Sequence, residues 1–80
     1  MTNIKSWMEE FSKDIVDTIS TLCDVETYVT FEDTCFTVTD KNDETMSVAY
    51  FYNWFVDFDT VDALRVALYF ESEYKTEKEK

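Results

Sequence analysis

Apolar residues near the start of this 80-residue chain recur every three or four positions. Ile4, Met8, Phe11, Ile15, Ile19 and Leu22 therefore share one face of a helix. Ser6 with Glu9 has the capping-box pattern, in which hydroxyl and carboxylate satisfy reciprocal backbone donors, and Asn3 is a rival cap. With either cap the helix is expected to run to about Cys23. The period then changes. Residues 25–31 and 34–39 are rich in Val, Thr and aromatics and read as strands joined at Glu32 and Asp33, and a third apolar run follows the polar residues 40–44. Pairing Phe31 with Thr34 and Val38 with Met46 gathers Val25, Val29, Phe31, Phe36, Val38, Val48 and Tyr50 on one side of an antiparallel meander. The other side collects Glu26, Tyr28, Thr30, Cys35, Thr37, Thr39, Ser47, Ala49 and Phe51, with Tyr28 and Phe51 as a candidate exposed aromatic pair.

From residue 53 onward two periods compete. Leu64, Val66, Leu68 and Phe70 alternate as a strand would, but Ala63, Leu64, Arg65 and Ala67 favour a helix. Asp57, Asp59 and Asp62 gather near its expected start, where negative charge complements the helix dipole. In a helix, Val61, Leu64 and Leu68 form one stripe while Val66 and Phe70 point elsewhere. Apolar residues on more than one side imply burial between layers or against a second subunit. The expected fold is α+β in two layers: an N-terminal helix, a three-stranded antiparallel meander and a C-terminal helix. Residues 1–74 are expected to form one domain and residues 75–80 a charged tail.

Composition narrows the function more than it narrows the fold. The chain has 18 acidic and 7 basic residues, no His, no Gly and no Pro, with a formal charge of −11. A hydrophobic content of 45%, with 18% aromatic, is too rich for a disordered acidic segment. Lack of His removes Ser–His and Cys–His catalysis, and lack of Gly argues against a glycine-rich phosphate cradle. Eighteen acids make chance carboxylate pairs inevitable, so pairing is no sign of an acid–base mechanism. The chain is read as a non-enzyme with no cofactor and no metal. Cys23 and Cys35, without a CxxC pattern, are read as free thiols acting as small apolar residues. No run approaches about 18 apolar residues, and no basic-then-apolar leader opens the chain, so a cytoplasmic protein without a membrane partner is expected.

The charge is uneven: the last six residues hold three Lys and two Glu, leaving −12 on the rest. Such a field repels nucleic acid and steers toward basic partners. Glu10, Asp14, Asp17 and Asp24 fall on one stripe of the first helix, nearly opposite its apolar arc, with the first carboxylates about 4.5 to 6 Å apart along the axis. Glu32 and Asp33 occupy one expected turn, and Asp40, Asp43 and Glu44 the next. A calcium loop at residues 40–44 is disfavoured, because the chain lacks the required Gly and has Phe51 where a bidentate Glu is needed. The run from Tyr50 to Phe55 lacks the basic groove that base stacking needs, and reads as core with one or two rings left for a protein partner. Each strand of duplex DNA carries one negative charge per about 3.4 Å. Carboxylates at similar separations on a rigid scaffold can enter Lys/Arg pockets built for phosphates.

In size, charge, acid-dense loops and element order the chain resembles the small acidic phage-encoded inhibitors, anti-CRISPR proteins and the inhibitor of uracil-DNA glycosylase among them. One inhibitor of a Cas nuclease with a three-stranded antiparallel sheet and helices occupies the site that reads the PAM. The resemblance implies a stoichiometric inhibitor that mimics nucleic acid and blocks DNA binding by a host effector, a Cas complex above all. It would act in the host cytoplasm and transfers no residue-by-residue site. The alternative is an acidic protein-binding adaptor or homodimer that presents aromatics such as Tyr28, Phe51 or Tyr69 without DNA mimicry.

Overall fold

The structure is a computed structural model that describes residues 9–55 and 58–78. The element order is α1 (Ser12–Cys23), β1 (Thr27–Phe31), β2 (Cys35–Asp40), β3 (Asp43–Phe51), a 3-10 turn (Tyr52–Trp54) and α2 (Thr60–Lys78). This is the expected α-β-β-β-α order, with β2 central in an antiparallel sheet. The expected caps Asn3 and Ser6, with Ile4 and Met8, lie outside the described residues.

The first helix is not continuous. Glu9 and Glu10 are helical, Phe11 turns with φ −97° and ψ 2°, and α1 begins at Ser12. The Ser12 hydroxyl donates to Glu9 O at 2.9 Å, a local bond that competes with the helical ladder. Phe11 packs its ring on Phe58 at 5.5 Å. At the other end Asp24 takes the left-handed conformation, φ 56° and ψ 42°, and its N–H closes on Ser20 O. In a chain without glycine an Asp fills that role, because its short polar side chain tolerates this region better than most.

Both strand registers differ from expectation by two residues. Phe31 pairs with Phe36 and Val29 with Val38; Phe36 pairs with Tyr50 and Val38 with Val48. Two-residue hairpin turns want positive φ, which Glu32 and Asp33 do not supply. The loop lengthens instead, and Glu32 N–H donates to Cys35 O at 2.9 Å. In the second hairpin the register shifts between Thr39 and Asp40, Asp40 pairs with Asp43, and Lys41 and Asn42 make the turn. A slip of two leaves every side chain on its expected face, so the core is unaffected.

Both helices cover the face that carries Phe36 and Val38. Ile15 and Ile19 from α1 and Ala63, Val66, Ala67 and Phe70 from α2 close over it. The helices run parallel: Phe11, just before α1, meets Phe58, just before α2, while Cys23 at the end of α1 lies near Glu71 and Lys75. Phe36 sits at the centre, stacked on Tyr50 at 5.0 Å and edge-on to Phe58 at 6.3 Å. The Tyr50 hydroxyl donates to Val66 O at 2.9 Å and so ties β3 to α2. Residues 75–78, expected to begin a tail, continue α2 instead.

Candidate functional site

Two surfaces stand out, one charged and one apolar. The charged one begins on α1, where Asp14 and Asp17 lie exposed across the helix from the buried Ile15 and Ile19. The hydroxyls of Thr18 and Thr21 donate back to the backbone carbonyls Asp14 O and Asp17 O. Lys13 Nζ sits 2.7 Å from Asp17 Oδ2, and this bond holds the lysine pKa above its ordinary value. Both partners are largely exposed, so the pair opens at little cost.

The other acids extend this stripe less regularly than helical spacing suggests. Glu10 is exposed but precedes the break at Phe11. Asp24 is exposed too, and its positive φ rotates Cβ by about 120° from the helical direction. The turns add acids at both ends of the sheet. Glu32 and Asp33 are exposed at the end where α1 begins, and Glu32 Oε2 accepts from the Cys35 thiol at 3.7 Å. Asp43 and Glu44 lie at the opposite end, near Asp24, where Lys41 N–H bonds Glu26 O across the chain. Asp14, Asp24 and Asp33 make no ion pair among the described residues.

Asp40 differs from the rest of this set. It is only 4% exposed, and its Oδ1 accepts Asn42 N–H at 2.8 Å. Asp43 is half-buried, and its Oδ1 takes both Thr45 N–H and the Thr45 hydroxyl. These two carboxylates shape the hairpin, whereas Glu44 beside them is displayed. The displayed acids are thus Glu10, Glu32 and Asp33 at one end of the fold, Asp14 and Asp17 on α1, and Asp24 and Glu44 at the other end.

The apolar surface lies between α2, β3 and the 3-10 turn. Tyr50, Trp54, Phe55, Arg65, Val66 and Tyr69 line an open groove of about 390 Å³. Tyr69 meets Tyr50 edge-on at 5.7 Å, and Phe51 meets Trp54 at 5.2 Å. Elsewhere on α2, Val61, Leu64 and Leu68 are exposed at spacings of three and four. The run from Tyr50 to Phe55 divides as its chemistry suggests: Tyr50 and Tyr52 are buried, Phe51 and Trp54 exposed. Tyr28 and Phe51 share the open sheet face, but their partners Thr39 and Cys35 lie four residues apart along β2. That is about 14 Å, so they form no pair.

The groove was not foreseen from sequence, because Trp54 and Tyr69 come from different elements. The signal for the stripe was present in α2, whose two apolar faces cannot both be core. Cys23 and Cys35 are free thiols, and burial pushes the Cys23 thiol up. Among the described residues no group of three or more His, Cys, Asp or Glu is placed to hold a metal ion, and no helix is long and apolar enough to cross a membrane. Comparison with known protein families, characterised proteins and solved structures finds no match.

Proposed function

We propose that this protein is a non-enzymatic inhibitor that occupies a cationic nucleic-acid groove in a basic partner and excludes DNA. A Cas effector complex is the partner class that its resemblance to acidic phage inhibitors suggests. The observation that supports this reading is the exposure of carboxylates at separate places on one packed fold: Asp14 and Asp17 on α1, Glu32 and Asp33 in one turn and Glu44 in the other. Lysine and arginine side chains arranged for phosphates can donate charge-assisted hydrogen bonds to such carboxylates. Because the acids are held by a packed fold, the partner orders little new structure on binding. Contacts of this kind are mainly ionic, so the complex weakens as salt rises.

The test is displacement of duplex DNA from a purified Cas effector complex at low and high salt. Added protein should release the DNA stoichiometrically, with weaker competition at high salt. Asp14→Lys and Asp17→Lys each keep a good helix former and should lower the affinity at least about tenfold, in line with loss of one charge-assisted bond. Competition that is indifferent to salt, or unchanged in both variants, overturns the reading.

A further inference from the structure

A cleft of about 290 Å³ lies between the β1–β2 turn and the 3-10 turn, lined by Asp33, Thr34, Phe51, Tyr52 and Asn53. Its two walls are tied together. Tyr52 N–H donates to Thr34 O at 3.1 Å, and the Tyr52 hydroxyl donates to Glu32 O at 2.5 Å. The volume is at the lower limit of small-molecule sites, so it suits one long side chain better than a whole ligand. Phe51 keeps 46% of its surface exposed here. Asp33 is exposed too and makes no ion pair among the described residues.

The chemistry of this lining selects a cation. It holds one carboxylate and no basic side chain, and Thr34 and Asn53 add uncharged acceptors. The larger groove beside α2 differs, because Arg65 lines it and repels positive charge. A cation placed between a carboxylate and a phenyl ring gains from both. The ring face attracts it through its quadrupole, and the carboxylate accepts its N–H groups. Guanidinium fits such a pair better than ammonium, being planar, forked and more weakly hydrated.

We propose that this cleft receives an arginine side chain of the basic partner, with the guanidinium on the Asp33 carboxylate and over the Phe51 ring. The inference rests on the reading of the protein as an inhibitor that enters a cationic nucleic-acid groove, where arginine is the residue of choice. It adds a contact that charge mimicry alone lacks. A phosphate offers the guanidinium charge but no ring, so the Phe51 wall gives the inhibitor a hold on the arginine that the DNA backbone does not have.

Titration of the full chain with the capped tripeptide Gly-Arg-Gly at physiological salt, followed by backbone-amide NMR, tests the cleft without the partner. Shifts should centre on Thr34, Phe51 and Asn53 and saturate in the millimolar range. The capped Gly-Lys-Gly peptide should bind about two- to fivefold more weakly, the size of an exposed cation–π contact. Phe51→Leu and Asp33→Asn should each weaken the arginine peptide by a similar factor. Both positions are exposed, so the variants should keep the wild-type circular dichroism and melting curve. Equal binding of the two peptides, shifts centred elsewhere, or an arginine affinity untouched by both substitutions overturns the proposal. The titration decides the cleft and DNA displacement decides the inhibitor, so each can fail while the other stands.

Discussion

Tyr50 concentrates several roles in one side chain. Its ring stacks on Phe36, its edge meets Tyr69, and its hydroxyl donates to a backbone carbonyl of α2. Burial pushes its pKa well above the ordinary phenol value, with Tyr69 and Glu73 adding to the shift. Tyr52 is raised as well, again by burial first. A phenol whose folded pKa is raised contributes stability that is complete below its unfolded pKa, near 10, and is lost as pH climbs beyond it. Unfolding free energy should therefore hold steady up to about pH 10 and then fall by up to about 1.4 kcal/mol per pH unit for each such group. Tyr50→Phe should flatten this alkaline loss in urea titrations, at a cost of about 1 kcal/mol at neutral pH from the lost hydrogen bond to the Val66 carbonyl. Thr27 presents the opposite case. Its residue is fully buried and its Oγ1 has no hydrogen-bond partner among the described residues. Thr27→Val keeps the shape and removes the orphaned hydroxyl, so the urea midpoint should rise by the equivalent of about 1 kcal/mol.

At the scale of elements, α2 shows how a helix begins without Ser or Thr at its cap. Asp59 Oδ1 accepts from Val61 N–H at 3.0 Å and from Asp62 N–H at 3.1 Å, while Asp62 Oδ2 reaches back to Asp59 N–H at 3.2 Å. This reciprocal arrangement is a capping box made from two aspartates. Asp59→Ala should destabilise the fold by about 1 kcal/mol in thermal or urea unfolding, with a larger effect than Asp33→Ala in an exposed turn. The acids near residue 60 signalled a helix start, but charge alone did not tell capping from display. The strand faces were legible because alternation has a period of two. The registers were not, because a slip of two residues preserves that alternation and the chain has no Asn–Gly or Asp–Gly turn to pin it. The break at Phe11 was hidden for a related reason: its apolar spacing suits a continuous helix, and only its contact with Phe58, distant in sequence, marks the bend. Helical spacing likewise placed Asp14 and Asp17 correctly but not Asp24, whose left-handed backbone depends on the connection to β1.

Across the whole molecule, α1 displays Asp14 and Asp17, whereas α2 exposes Val61, Leu64, Leu68 and Tyr69 alongside its own acids Asp62, Glu71, Glu73 and Glu77. Further acids lie exposed in the turns at the sheet ends, and further aromatics, Phe51 and Trp54, at the end of β3 and in the 3-10 turn. Reversal of Asp14 or Asp17 should lower DNA displacement, and substitution of Leu64 or Leu68 by Lys should leave displacement unchanged. The parallel course of the helices adds an electrical polarity to this division. Peptide dipoles in α1 and α2 point the same way, and α1 ends on the side of the sheet where the hairpin displays Glu44. Asp24 sits at the negative pole of α1 with no basic residue in the last turn to offset it, whereas α2 has Lys75 near its own end. A cation drawn to the end of α1 would therefore meet a carboxylate and the last backbone carbonyls at once.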